Sequence, residues 1–126
     1  MRNRNSTKSI ERVYVAGPIS ADNHMQFLRN IRTGIKASIE VLKAGFSPFC
    51  PFLDYQFLLC ADNPLDITVA DFYRYSMAWL MAADAMLLLK GWETSLGTVE
   101  EVKVADEQNI PVCNSVEDII WINEGR

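Results

Sequence analysis

Apolar positions along the chain switch between two spacings, and the switches outline the fold. Arg12–Ala16 (RVYVA) is β-branched and aromatic and ends at Gly17-Pro18. A short apolar run closed by turn residues reads as a buried strand followed by a sharp loop. From Met25 to Ala44 the spacing changes. Leu28, Ile31, Ile35, Ile39 and Leu42 recur three and four apart, and Gly45 follows. That pattern predicts a helix stopped by a C-terminal glycine. Phe46–Pro51 reads as a second strand, ended by a proline that has no N–H for the ladder. Phe52–Asp66 is irregular and aromatic. It is expected to be a long loop with one short helix, and loops of that length in small domains often carry function.

Thr68-Val-Ala-Asp71 fits a capping box opening a helix to about Ala83. Ala85–Leu89 (AMLLL) is a third buried strand closed by Gly91, and Leu96–Gln108 is a helix with Val99, Val102 and Ala105 on one face. Ile110–Cys113 is a fourth strand, and Ser115-Val-Glu-Asp118 is another capping box, opening a last helix through Ile122. Strands alternating with helices imply parallel strands joined by right-handed crossovers. The expected architecture is a three-layer α/β sandwich of flavodoxin or Rossmann type with strand order 2-1-3-4. It forms a single domain over residues 1–126, with residues 1–10 as a flexible arm. Such sheets bind ligands at the carboxyl ends of strands where the order reverses. Here that point lies between the first and third strands, where the loops Gly17–His24 and Lys90–Gly97 meet.

Composition then narrows the partners. A chain of 126 residues, 49% of them hydrophobic, can bury one core and is too short for two. A net charge of −4 argues against a nucleic-acid polymer as partner. Arg2, Arg4, Lys8 and Arg12 form a short basic arm, read either as a phosphate contact or as a solvated, frayed terminus. The longest apolar run, Ala82–Leu89, is interrupted by Asp84 and is far too short to span a bilayer, and the polar N-terminus carries no signal-peptide pattern. Cys50, Cys60 and Cys113 lack metal-ligand spacing, and His24 is the single histidine. A reduced, cytoplasmic protein with no metal and no cofactor is expected.

Two segments carry candidate chemistry. In Gly91–Glu101 a glycine-bearing loop enters a helix near Gly97, where unpaired N–H groups and the helix dipole favour an anion, and Ser95 adds a hydroxyl. Glu101 lies about one turn inside and could reach the crevice mouth as an ionised nucleophile. A second reading stands beside this one. Thr98-Val-Glu-Glu101 is itself a capping box, in which Glu101 only bonds back to the Thr98 backbone. Ser95 and Gly97 are also ordinary turn residues. In Tyr14-Val-Ala-Gly-Pro-Ile-Ser20, Gly17 lets a ligand approach the backbone and Tyr14 offers a hydroxyl; alternatively these are a core tyrosine and a Gly-Pro turn. Trp92, beside Glu93, stacks on a base or simply packs. Phe52, Tyr55 and Phe57 form a base-side lid or a satellite of the core.

Together, with Ala83-Asp84 between them, the two segments resemble the nucleoside 2-deoxyribosyltransferase superfamily. The likeness is closest to its deoxynucleoside monophosphate N-glycosidase branch and to short phage and bacterial relatives. An aromatic-x-x-Gly-x-Ile pattern is matched by Tyr14, Gly17 and Ile19. A Ser-x-Gly-x-x-x-Glu pattern is matched by Ser95, Gly97 and Glu101. The resemblance runs from about Arg12 to Val112. It implies that Glu101 attacks C1′ of a nucleoside or nucleotide. Ser95 and the Gly97 backbone would hold a 5′-phosphate or 5′-hydroxyl, and Gly17–Ser20 would line the sugar and base pocket. An N-glycosidic bond breaks through an oxocarbenium-like state that a nearby carboxylate stabilises or traps.

The sequence departs from that pattern at three points. Where the family carries an aspartate before the third strand, this chain has Ser76. The small pair after the glutamate is replaced by Val102-Lys103, and Glu100 leaves the register open. Asp71, Asp54 and His24 are candidates for the missing acid. A non-catalytic nucleotide sensor or sequestering protein is the alternative. Phe72, Tyr75, Met77, Trp79, Leu80 and Met81 make their helix apolar nearly all round, which predicts burial on more than one side and a homo-oligomer.

Overall fold

The computed structural model describes residues 9–63 and 66–125, with backbone only at positions 54 and 55. Arg2, Arg4 and Lys8 lie outside the described residues. The strands are β1 (Arg12–Ala16), β2 (Ser47–Phe49), β3 (Ala85–Leu88) and β4 (Val112–Cys113). The α-helices are α1 (His24–Lys43), α2 (Val69–Met81), α3 (Leu96–Glu107) and α4 (Val116–Gly125). Two 3-10 segments, Pro51–Cys60 and Trp92–Thr94, complete the order. All three strand pairings are parallel and the order is β2-β1-β3-β4, as the alternation of elements predicts.

The strand period of two divides the core. Val13 and Val15 of β1, with Ala85 and Leu87 of β3, face a cluster containing Ala37 and Val41 of α1 and Ile119 of α4. Their neighbours Tyr14, Ala16, Met86 and Leu88 face the other way, onto Leu80 of α2 and Ala105 of α3. Two helices therefore cover each face, and the central strands are apolar on both sides.

Side-chain oxygens set the helix starts. Asn23 caps α1 by accepting the Gln26 N–H at 2.8 Å. At α2 the capping box is complete: Thr68 Oγ1 accepts from the Asp71 N–H at 3.1 Å, and Asp71 accepts from the Thr68 N–H at 2.9 Å. Ser115 accepts the Asp118 N–H at 3.1 Å, but Asp118 reaches past it to the Asn114 N–H at 3.3 Å. Gly45, just beyond α1, sits at φ +100, the left-handed region that glycine reaches without strain.

Several expectations need correction. The second strand is shorter than Phe46–Pro51: it spans Ser47–Phe49 at the sheet edge, where the missing N–H of Pro48 is tolerated, and Pro51 already opens the next helix. The segment from Phe52, read as a long loop with one short helix, begins with a ten-residue 3-10 helix, Pro51–Cys60. Its anchor is Phe52, 2% exposed, whose ring lies where a side chain on Gly34 of α1 would be. Ile10 does not belong to a flexible arm: it is buried and donates its N–H to Asn123 Oδ1 at 2.7 Å. In α2 only Leu80 is fully buried, and Tyr73, Trp79 and Met81 stay 41–48% exposed. Part of the apolar surface of that helix also faces the site. Among the described residues, no helix is long and apolar enough to cross a membrane.

Candidate active site

The crevice forms where the loops after β1 and β3 touch. The Leu89 N–H donates to the Ala16 carbonyl at 2.8 Å. A Cβ added to Gly17 would lie 2.8 Å from Cβ of Leu89, so only glycine lets the two loops close here. Beyond this contact opens a cavity of about 420 Å³. Gly17, Ile19 and Ser20 form one wall; Ser95, Gly97, Thr98 and Glu101 form the facing one. The third wall is apolar, with Phe52 and Leu58 of the 3-10 helix joined by Val69, Phe72, Tyr73, Ser76 and Met77 of α2. These α2 positions fall at i, i+3, i+4, i+7 and i+8, one face of a helix. The apolar surplus of α2 is thus divided between the sheet and the cavity.

Glu101 is not spent on capping. Ser95 is the N-cap of α3, its hydroxyl accepting from the Thr98 N–H at 3.3 Å and from the Thr98 hydroxyl at 2.9 Å. Thr98 is 2% exposed, so this pair is fixed inside the wall. The Glu101 carboxylate instead accepts the Tyr14 hydroxyl at 2.5 Å. Tyr14 combines both of its readings. It is fully buried, its ring stacked on Phe49 at 5.6 Å, and it does not itself line the cavity; its hydroxyl meets the crevice only through Glu101. A phenol that donates to a carboxylate fixes its orientation and favours its charged form. The neighbouring Glu100 is exposed and does not line the cavity. The register between the two glutamates therefore falls on Glu101.

The entrance of α3 adds donors. Val99 makes the first intrahelical bond, to the Ser95 carbonyl at 2.9 Å, leaving the N–H groups of Leu96 and Gly97 ahead of the ladder. A Cβ added to Gly97 would meet nothing within 4 Å. Neighbouring protein atoms therefore do not require glycine here. Donors and the positive helix end favour negative charge at this spot.

The remaining candidates separate clearly. Ser76 lines the cavity on the α2 side, where the resemblance called for a carboxylate. Trp92 does not line it; it packs against the core cluster around Met86 and Leu88, the plainer of its two readings. Asp71 is committed to the Thr68 cap, whose backbone N–H and hydroxyl hold its carboxyl below the usual range. A carboxylate kept ionised in that way is not a proton donor. His24 opens α1 outside the cavity lining. Asp54 and Tyr55, as side chains, lie outside the described set. Phe52 lines the cavity, whereas Phe57 does not: it stacks on Phe72 and meets Tyr75 edge-on. Among the described residues, no three His, Cys, Asp or Glu side chains are grouped to hold a metal. Thr98, Met77 and Tyr73 were not anticipated at the site. The i, i+4 spacing of Tyr73 and Met77 about Ser76 was their visible signal; Met77 was read as part of an interface helix and Tyr73 was not singled out.

Fold and site together define a doubly wound α/β protein with a largely apolar crevice at the carboxyl ends of its strands and, among the described residues, a single carboxylate held in the wall. The chain belongs to a family of domains of unknown function, DUF4406, whose model matches residues 11–114. Among solved structures it is similar to a 2-deoxyribosyltransferase from the psychrotolerant bacterium Bacillus psychrosaccharolyticus, described as a biocatalyst for the synthesis of antiviral and antitumoral nucleosides. The TM-score is 0.55 at 13% identity, covering 80% of this chain and 69% of that one. Likeness at that identity is likeness of fold. No curated protein matches the chain.

Proposed function

We propose that the chain is a cytoplasmic enzyme that cleaves or exchanges the N-glycosidic bond of a nucleoside or nucleoside 5′-monophosphate, with Glu101 as nucleophile. The observation that carries this reading is the carboxylate of Glu101 in the cavity wall, oriented by the Tyr14 hydroxyl and facing an apolar wall of α2. A Glu101 oxygen attacks C1′ as the C1′–N bond breaks, and its electron pair leaves with the base. A glycosyl ester of Glu101 results, and water or a second base attacks C1′ to release it. The departing base takes its proton from solvent, since Ser76 is no carboxylic acid. Phe72, Tyr73 and Met77 offer the base an apolar face. Ser95 and the Gly97 backbone take the 5′-phosphate or 5′-hydroxyl, and the open space at Gly97 supports the monophosphate branch. Ser20 and Ile19 line the sugar side.

The test is incubation with a panel of nucleosides and 5′-monophosphates, followed by chromatography for free or exchanged base. Base release that disappears in Glu101→Ala and persists in Glu100→Ala supports the assignment; no release or exchange across the panel overturns it. The alternative reading, a non-catalytic nucleotide sensor, rests on Ser76, which leaves the α2 wall without a second carboxylate. Calorimetry showing tight binding of a nucleotide that is recovered unchanged would favour it.

A further inference from the structure

We propose that α1 and α4 are the two halves of a self-association surface, with α1 of one copy seated on α4 of a second copy. The buried side of α1 is complete with Ile31, Gly34, Ala37, Ser38 and Val41. Yet Met25, Leu28, Ile39 and Leu42 remain 60, 53, 46 and 60% exposed. With half-buried Ile35, they fall three and four apart, interrupted once by Arg32. This is the spacing of a helix-pairing seam, additional to the face already packed on the sheet. Arg29, Arg32, Lys36 and Lys43 run along the same exposed side, with Glu40 the one acidic residue among them. In a chain of net charge −4, that concentration of positive charge is local.

The complementary features lie on α4. Trp121 is 72% exposed, with Glu117 one turn before it, Glu124 one turn after it and Asp118 alongside, all exposed. Ile119 faces the core instead. Among the described residues, none of these basic and acidic side chains of α1 and α4 forms an ion pair. Both helices cover the same face of the sheet, so one two-fold axis across that face would place α1 on the partner's α4 twice over. The signs match, and the Trp121 ring supplies an apolar knob for the α1 seam. A basic, apolar helix would also suit an anionic lipid surface. The opposite charge and exposed aromatic on α4 favour a second copy.

The test is sedimentation velocity of the full chain up to about 100 μM, in low and high salt. Arg29→Glu with Lys36→Glu, and separately Glu117→Lys with Glu124→Lys, are compared with the variant carrying all four changes. Trp121→Ala is the uncharged control, and circular dichroism checks the fold of each. The proposal expects a dimer, a dissociation constant raised at least ~tenfold by either reversed pair, and recovery when all four are combined. A monomer throughout overturns it, as does a dimer indifferent to the reversals. Loss without recovery in the fourfold variant overturns it too, as does a monomer that floats with phosphatidylserine vesicles.

Discussion

Gly34→Ala sets two well-known effects against each other inside one helix. Alanine is the better helix former by about 1 kcal/mol, so a solvent-facing glycine replaced in this way would stabilise α1. Gly34 faces inward, however. Its added Cβ would stand 2.4 Å from Cδ1 and Cγ of Phe52 and 2.7 Å from Cδ2. Those atoms belong to the root and body of a ring that is 2% exposed, not to the end of a flexible chain. Either the ring stays and the helix is pushed outward, at an overpacking cost of about 1–3 kcal/mol, or it leaves and its burial is lost, about 1.5–3 kcal/mol. A cavity adds to the second route. Net destabilisation should be about 2 kcal/mol, lowering Tm by roughly 6–8 °C for a chain of this length. Denaturant unfolding gives the free energy, and a double-mutant cycle with Phe52→Ala locates it. The combined loss should fall short of the sum by at least about 1 kcal/mol, because the clash disappears with the ring. A Gly34→Ala protein as stable as its parent would refute the reasoning, since helix propensity would then have outweighed the contact that fixes the 3-10 helix over the cavity.

Tyr14→Phe keeps the ring stacked on Phe49 and removes only the donor to Glu101. A hydrogen bond to a charged group contributes about 1.5–3 kcal/mol, so kcat for base release should fall roughly 10- to 100-fold with KM little changed. An unaltered kcat would remove Tyr14 from the mechanism. Gly97→Ala should fold with undiminished Tm, since its Cβ meets nothing within 4 Å, yet lose at least about tenfold in nucleotide affinity by calorimetry, through a methyl placed where the ligand meets the backbone. Unchanged affinity would show that ligand does not approach there. Burial, reinforced by the charge of Asp118, pushes the Cys113 thiol from 9.0 up to about 11. The unfolded thiol ionises first, so its stabilising contribution is intact below pH 9 and lost as pH rises to about 11; Cys113→Ala should flatten that part of the stability profile.

Several features set by local interactions were legible in the sequence. The four strands and their order follow from short apolar runs alternating with helical spacing. The Thr68–Asp71 box is local chemistry between residues three apart. Phe52 on Gly34 was not legible, because that contact joins positions eighteen apart and depends on the absence of a side chain rather than on its presence. The extent of the 3-10 helix built on it was therefore missed, the segment being read as mostly loop with one short helix. The Ile10–Asn123 bond spans nearly the whole chain and has no sequence signature either.

The same distinction explains Glu101. From spacing alone, Thr98-x-x-Glu101 fits a capping box as well as any in the chain, and local chemistry favoured that reading. Ser95 displaces it. With the cap one turn earlier, Thr98 becomes the third residue of α3, its N–H already satisfied by the Ser95 hydroxyl. The Glu101 carboxylate then accepts from another element, the hydroxyl of Tyr14. That donor is available only because Tyr14 and Glu101 meet across the sheet end where strand order reverses. A tyrosine buried in a strand and a glutamate one turn into a helix are unremarkable apart. Parallel pairing of β1 with β3 makes them partners, and the same pairing brings Gly17 against Leu89 to form the crevice they share. The topology, not either motif alone, distinguishes a carboxylate that lines a cavity from one that caps a helix start.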